Sequence, residues 1–335
     1  MKRNLMALGL ASTSILLASC ASSGPSGAPT DAADGNQQAN EVMQVTRPHE
    51  LTGGTLLEGP TFGPDGRLYL VDVMAPAGEP KVMAVDLEST ESETVFTDDR
   101  GAYTSAQFSP RDGRIYLTDI ASGSIISITE QGQDPQVLFA GEVEGDTMRP
   151  DDIAFDPDGH LYVSDTTGMD GPGWQSLGRV VRISSGGEAS ILAENLPSPN
   201  GITFDETDEG LYISQYNANR IDYLGLDENR SRAVSAYPAI NLNAGKTRVD
   251  STAVDAQGNI YQAFHGKPEI EVYSSTGTHL STISIPPEDQ GRESATNVAI
   301  KPGSTEGFIT ISGPDGGWVY AFEALAEGIR QSNGG

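Results

Sequence analysis

The sequence predicts an all-β fold, a six-bladed β-propeller with a central channel. A repeat, the spacing of its copies and the lack of any long amphipathic helical pattern predict it. The repeat is an apolar residue, a turn built on Asp or Gly, and an apolar, aromatic strand. Its copies read FGPDGRLYLVDV from Phe62, FSPRDGRIYLTDI from Phe108, FDPDGHLYVSDT from Phe155, FDETDEGLYISQ from Phe204, VDAQGNIYQAF from Val254 and IKPGSTEGFITIS from Ile300. Successive starts are 46, 47, 49, 50 and 46 residues apart, a propeller-blade period and too long for ankyrin or leucine-rich repeats. The first helix-like pattern is ALAEGIR at 324–330, so an α/β class is disfavoured.

Within each copy the strand alternates with period two. Leu68 and Leu70 are expected to face one neighbouring sheet, and Tyr69 and Val71 the opposite one. The Pro-Asp-Gly and Asp-Gly pairs at 64–66, 112–113 and 157–159 supply the backbone angles of a tight hairpin and are read as structural. A further apolar run follows each motif: KVMAVDL (81–87), SIISITE (124–130), GRVVRIS (178–184), NRIDYLGL (219–226) and EIEVYSS (269–275). These read as third strands of their blades. The blades are placed within 42–330 as a single domain, because repeat folds make one domain of this size.

Residues 1–19 read as an export signal. Lys2 and Arg3 form a basic start, Leu5 to Leu17 an apolar stretch short for an ordinary membrane span, and Leu17, Ala18 and Ser19 lead into Cys20. The pattern resembles a bacterial lipobox cut before Cys20 and lipidated on its thiol, with an ordinary secretory cleavage after Ser19 as the alternative. Ala21 after the cysteine resembles the outer-membrane sorting signal, so the expected place is the outer membrane, facing the periplasm. Residues 20–41 are rich in Ser, Gly, Pro, Ala, Asp, Asn and Gln and read as a flexible tether. The single cysteine excludes an intramolecular disulfide. Of 20 Lys and Arg, two leave with the signal, so 18 face 47 acidic residues and the net charge is −29. That field repels phosphate backbones and excludes nucleic acid as a partner.

Four residues before each apolar start stand Glu58, Thr104, Asp151, Asn200, Asp250 and Thr296, each with a side-chain oxygen. Equivalent positions of successive blades are related by rotation about the central axis, so these residues are expected to form a ring at one end of the channel. A buried Glu58 is costly without a charge partner. Adjacent residues of a strand point to opposite faces, so Asp151 and not Asp152 is assigned to the ring. Ser251 adds an oxygen beside Asp250.

LEGPTFGPDGRLYLVDV, RPDDIAFDPDGHLYVSD, SPNGITFDETDEGLYISQYNANRI and VDSTAVDAQGNIY together resemble the regucalcin/gluconolactonase (senescence marker protein) family of six-bladed propellers, and within it the bacterial drug-responsive lactonase branch. The similarity runs over most of the chain after residue 50. It implies a catalytic divalent cation, usually calcium, and hydrolysis of lactones. It also implies Glu58, Asp151, Asn200 and Asp250 as metal ligands, with Ser251 lining the site. By the same resemblance Asp250 transfers the proton, and Arg149, two residues before Asp151, is either a substrate contact or a rim charge; Asp151 is also placed against the substrate. Hard oxygen donors suit calcium, and His49, His160, His265 and His279 lack zinc-like spacing.

Other candidates carry less. His265 is either a rim base or a surface-loop residue, and Trp174 either caps the channel mouth or anchors its loop. Glu142, Glu144 and Asp146 form either a solvated acidic loop or a second, structural ion site. There is no Ser-His-Asp order and no phosphate-cradling Gly-rich loop. Two alternatives stand beside a lactone hydrolase: a non-catalytic propeller with structural calcium that binds a partner, and an aryl-ester or phosphotriester hydrolase of the same fold.

Overall fold

The structure, a computed structural model, describes residues 35–333. The export signal and Cys20 lie outside the described residues. The fold is an all-β propeller. Four sheets have four antiparallel strands each, and they begin with strands Leu57–Phe62, Tyr103–Phe108, Pro150–Phe155 and Pro199–Phe204. A nine-stranded sheet carries the last two copies of the repeat, which begin with strands Arg248–Val254 and Ser294–Ile300 and are joined where Phe264 pairs with Ala295. The six first strands pack in a closed cycle, each against the next and the last against the first.

The repeated phrase makes both the turns and the contacts between sheets. Each hairpin after a first strand has one residue in the left-handed region: Gly66, Gly113, Gly159, Asp208, Gly258 and Gly303. Glycine meets that demand without a Cβ clash, and Asp is among the few other residues that tolerate it. The tyrosine of one sheet then meets the phenylalanine of the next, edge to face. Tyr69–Phe108, Tyr116–Phe155 and Tyr162–Phe204 have ring centroids 5.0, 5.3 and 4.9 Å apart, a geometry worth roughly 0.5–1.5 kcal/mol per pair beyond area burial. Tyr69 and Val71 pack with Ala106 and Leu117 of the second sheet, whereas Leu68 and Leu70 pack with Phe308 and Val319 of the last. The alternation expected of this strand therefore holds.

Both chain ends differ from expectation. Strand Asn40–Thr46 forms the outer edge of the last sheet against Gly316–Glu323, and Gln37–Gln38 pairs with Ile283 and Ser284. The fold thus begins inside the segment assigned to the tether. An outermost strand keeps polar residues exposed, as Asn40 and Glu41 are, so its composition resembles a linker. ALAEGIR forms no helix: Ala324 and Ala326 are buried in an irregular segment, and Gly328 lies against the Ile300 and Lys301 carbonyls with no room for a Cβ.

The residues that follow cross the end of the first strands that carries the apolar repeat starts. Arg330 donates to the Phe155 carbonyl, Thr203 Oγ1 donates to the Gln331 carbonyl at 2.9 Å, and the Ile300 N–H donates to the Ser332 carbonyl at 2.6 Å. Ser332 donates to the Val254 carbonyl, and Asn333 Nδ2 donates to Thr61 Oγ1 at 3.1 Å. The tail therefore ties five of the six first strands across the channel. At about 1 kcal/mol for each such bond, a chain ending at Glu327 should unfold on the order of 10 °C lower in a calorimetric scan. An unchanged midpoint would show that the tail is ornamental.

Candidate active site

The other end of the channel is built by an irregularity common to all six first strands. Pairing with the second strand slips between Glu58 and Thr61, Tyr103 and Ser105, Pro150 and Ile153, Pro199 and Ile202, Val249 and Thr252, and Ala295 and Asn297. Such bulges re-aim side chains next to functional sites. Here they fall at the ring position in every copy. Second-strand side chains support them: Ser164 Oγ accepts from the Asp152 N–H at 2.9 Å, and Ser214 Oγ accepts from the Gly201 N–H at 2.7 Å. Gln262 Nε2 reaches the Asp250 carbonyl at 3.0 Å and the Ser251 carbonyl at 3.1 Å.

Close approach of neighbouring backbones explains the two glycines that follow ring residues. A Cβ on Gly59 would lie 2.5 Å from the Ala106 nitrogen, and one on Gly201 would lie 2.7 Å from the Thr252 nitrogen. The Glu-Gly-Pro and Pro-Asn-Gly motifs are therefore packing requirements as much as ligand motifs.

Glu58, Thr104, Asp151, Asn200 and Asp250 line one cavity of about 260 Å³ together with Arg149 and His265. Thr296 is not among its walls. Fully buried, it spends its hydroxyl on the Leu57 carbonyl at 2.6 Å and on Thr310 at 3.0 Å. Asn200 Nδ2 donates to Asp151 Oδ2 at 2.9 Å, which leaves Asn200 Oδ1 buried with no partner. Asn297 Nδ2 donates to Ser251 Oγ at 2.8 Å and to Glu58 Oε2 at 3.3 Å. Arg149 is held by its backbone N–H on Asp165 at 2.8 Å, and its guanidinium pairs with Asp170 at 2.7 Å on the rim. His265 Nδ1 stands 3.9 Å from Asp250 Oδ2, and burial lowers its pKa. It is a cavity wall, not a remote loop residue.

The ring rule points to neither Asp152 nor Asn297. Strict alternation excludes Asp152, but the slip between Pro150 and Ile153 breaks that alternation. Asp152 is 1% exposed, and its charge, like those of Asp250 and Asp151, acts on Glu58. The sequence signal was the residue after each ring position: Gly59, Ser105, Asp152, Gly201, Ser251 and Asn297 are all small or polar. Trp174, by contrast, is 84% exposed and forms no part of the cavity wall, although its loop supplies Met169 and Asp170. Glu142 and Asp146 are exposed on a small two-stranded ribbon, and neither lines the cavity.

Burial raises the carboxylates. It acts first on Glu58, and the charges of Asp250, Asp152 and Asp151 add to it. Asp152 and Asp250 are pushed up by burial and then by Asp151. Asp151 is raised to about 7 by burial, with Arg149 and Thr104 opposing. Such a set is strained when ionised and relieved by a cation. The donors are hard oxygens, and the orphaned Asn200 Oδ1 needs a positive partner, so the residues present fit a divalent ion of the calcium type. Among the described residues no three His, Cys, Asp or Glu side chains converge into a metal cluster. An ion held there would need amide and hydroxyl oxygens as well as carboxylates.

Two measurements follow. Replacing Gly201 by Ala should cost about 1–3 kcal/mol in denaturant unfolding through the backbone clash. The second concerns pH without metal. Folding raises these pKa values above the unfolded carboxylate range of about 4, so the fold is favoured while the groups are protonated. The penalty grows as pH rises past that value and is complete above the folded value, about 7 for Asp151. The unfolding midpoint of metal-free protein should fall between pH ~4.5 and ~8, and Asp151→Asn should flatten the fall. A midpoint that climbs to neutral pH would contradict the assignment.

Comparison with known proteins agrees with this architecture. Lactonase drp35 of Staphylococcus saprophyticus is 26% identical over 285 residues, which cover 82% of this chain and 85% of the relative. A solved calcium-binding protein, regucalcin from Agrobacterium tumefaciens, superposes with a TM-score of 0.70 at 16% identity, covering 88% of this chain and 98% of its own. A gluconolactonase from Xanthomonas campestris gives a TM-score of 0.65 at 18% identity, covering 85% and 98%. The model of the SMP-30/gluconolactonase/LRE-like region matches residues 56–307, and the chain belongs to that family.

Proposed function

We propose that this protein is a calcium-dependent hydrolase that opens lactone rings at the open mouth of a six-bladed propeller. The closed cycle of six first strands supports the blade count, and the family and the lactonase relatives support the substrate class. The observation that carries the site is the buried set of carboxylates around an unpartnered Asn200 Oδ1. Glu58, Asp151, Asn200, Asp250 and Ser251 are the residues that would hold the ion. When bound, calcium supplies a positive charge that polarises a carbonyl oxygen and lowers the pKa of a water.

The chain's own groups do the rest. Asp250, anchored through its carbonyl by Gln262 and facing the cavity, takes a proton from the attacking water. That water's oxygen bonds to the lactone carbonyl carbon, the ring C–O bond breaks, and Asp250 returns the proton to the departing alkoxide, giving a hydroxy acid. Arg149, on the rim above Asp151, offers donors to the substrate's oxygens while Asp170 holds it in place. Leu56, Val73 and Ile120 form the apolar part of the cavity wall. A partner-binding scaffold has no use for buried, unneutralised carboxylates in an open cavity, whereas an aryl-ester or phosphotriester hydrolase would share the metal chemistry and differ in substrate profile.

We further propose that the protein is exported and anchored by lipid on Cys20 in the outer membrane, facing the periplasm. Globomycin-sensitive processing and labelling with palmitate in a bacterial host would check this. For the activity, metal-stripped protein should release no protons from sugar or aromatic lactones until calcium is added. Asp250→Asn should lower turnover by about 10²-fold or more, and Asn200→Ala should raise the calcium concentration needed. Full activity in chelator, or calcium binding with no turnover on any lactone or ester, would overturn the reading.

A further inference from the structure

The pairing of first and second strands defines another set of equivalent positions, nearer the mouth than the ring of oxygens. In every copy the residue just before the ring position pairs with a residue near the end of the second strand, as Leu57 does with Asp72 and Tyr103 with Asp119. The next residues along the chain, Val73, Ile120, Thr166, Tyr216, His265 and Ser312, therefore stand at matching places around the mouth. Thr166 and Ser312 are buried and their hydroxyls are engaged, Thr166 with Ser198 Oγ at 2.7 Å and Ser312 as acceptor of the Leu57 N–H at 3.0 Å. The other four line the cavity.

These four divide by copy of the repeat. Val73 and Ile120, joined in the wall by Leu56, are aliphatic and belong to the first and second copies, whereas Tyr216 and His265 belong to the fourth and fifth and pack on each other with ring centroids 6.2 Å apart. In the closed cycle of first strands these two pairs of copies face one another. The backbone donors on the aliphatic side are spent: the Val73 N–H on the Leu56 carbonyl at 2.9 Å, the Ile120 N–H on the Ala102 carbonyl at 3.0 Å and the Leu56 N–H on Asp72 Oδ1 at 3.0 Å. A sugar lactone carries hydroxyls around its ring, and each one laid on such a wall gives up water and finds no side-chain partner there. An alkyl chain gives up nothing there and gains roughly fourfold in affinity for each methylene buried. We propose that Leu56, Val73 and Ile120 determine specificity, and that the substrate is a lactone whose ring carries an aliphatic chain in place of hydroxyls. Its carbonyl meets the oxygens of the ring, and its chain lies along the first and second copies. That wall holds no aromatic ring on which a flat bicyclic lactone could stack. This inference rests on the lactonase reading and narrows its substrate.

The test is kcat/KM of the whole protein in excess calcium, corrected for spontaneous hydrolysis. The substrates are a series of five-membered lactones with progressively longer alkyl chains beside the ring oxygen, with gluconolactone and a benzo-fused lactone for comparison. The value is expected to rise roughly fourfold for each of the first few methylenes, with gluconolactone slower than any chain-bearing member. Val73→Thr and Ile120→Thr are each expected to flatten the dependence on chain length, whereas a merely structural role would lower all substrates by one factor and keep the slope. A flat series in wild type, a slope untouched by both variants, or faster turnover of gluconolactone or the benzo-fused lactone than of the alkyl series overturns the proposal and leaves the lactonase reading intact. Turnover of no lactone at all overturns both.

Discussion

Burial of like charges at one end of a closed ring of strands is the constraint on which the rest of the molecule depends. Glu58, Asp151, Asp152 and Asp250 are each less than 10% exposed, and Arg149 on the rim eases Asp151. An arrangement so unfavourable in isolation persists only if the surrounding structure over-determines it. The surroundings do so through repetition: the same slip in six first strands, second-strand side chains holding it in the third, fourth and fifth, and glycines where neighbouring backbones leave no room for a side chain.

Stability and function are thereby assigned to opposite ends of the channel. At the apolar end, tyrosines and phenylalanines of successive sheets interlock and the C-terminal tail crosses the strand ends. Strand Asn40–Thr46 completes the last sheet, so segments near both ends of the described residues help close the ring. At the polar end, side-chain oxygens face the cavity and depend on that distant closure for their spacing. A loosened ring would separate donors contributed by different sheets, which is how a change near residue 330 can act on a site at Glu58.

Much of this was legible in the sequence, because the repeat has a physical meaning at each position. The Asp-Gly turns demanded left-handed backbone, and the structure uses it in every copy, with Asp208 replacing glycine in the fourth. Stepping back from the apolar starts found Glu58, Asp151, Asn200 and Asp250, and all four line one cavity. Thr296 was found by the same rule and does not, because its hydroxyl is claimed by the Leu57 carbonyl. Asp152 was excluded by ideal strand alternation, which a bulge abolishes, and a bulge has no signature in a single copy of the motif. The outer strand at Asn40–Thr46 was hidden because an exposed edge strand and a linker share a polar composition. The closing role of residues 328–333 was hidden because it depends on contacts with strands more than a hundred residues away in the chain, such as Arg330 with Phe155.

The central claim is that these buried carboxylates await a cation and surrender protons to it. Calorimetric titration of metal-stripped protein with calcium near neutral pH, in two buffers of different ionisation enthalpy, tests it most directly. Tight binding with net release of protons into the buffer is the predicted result. Binding without proton release, or no binding at all, would show that the cluster at Glu58, Asp151 and Asp250 is not built for a metal.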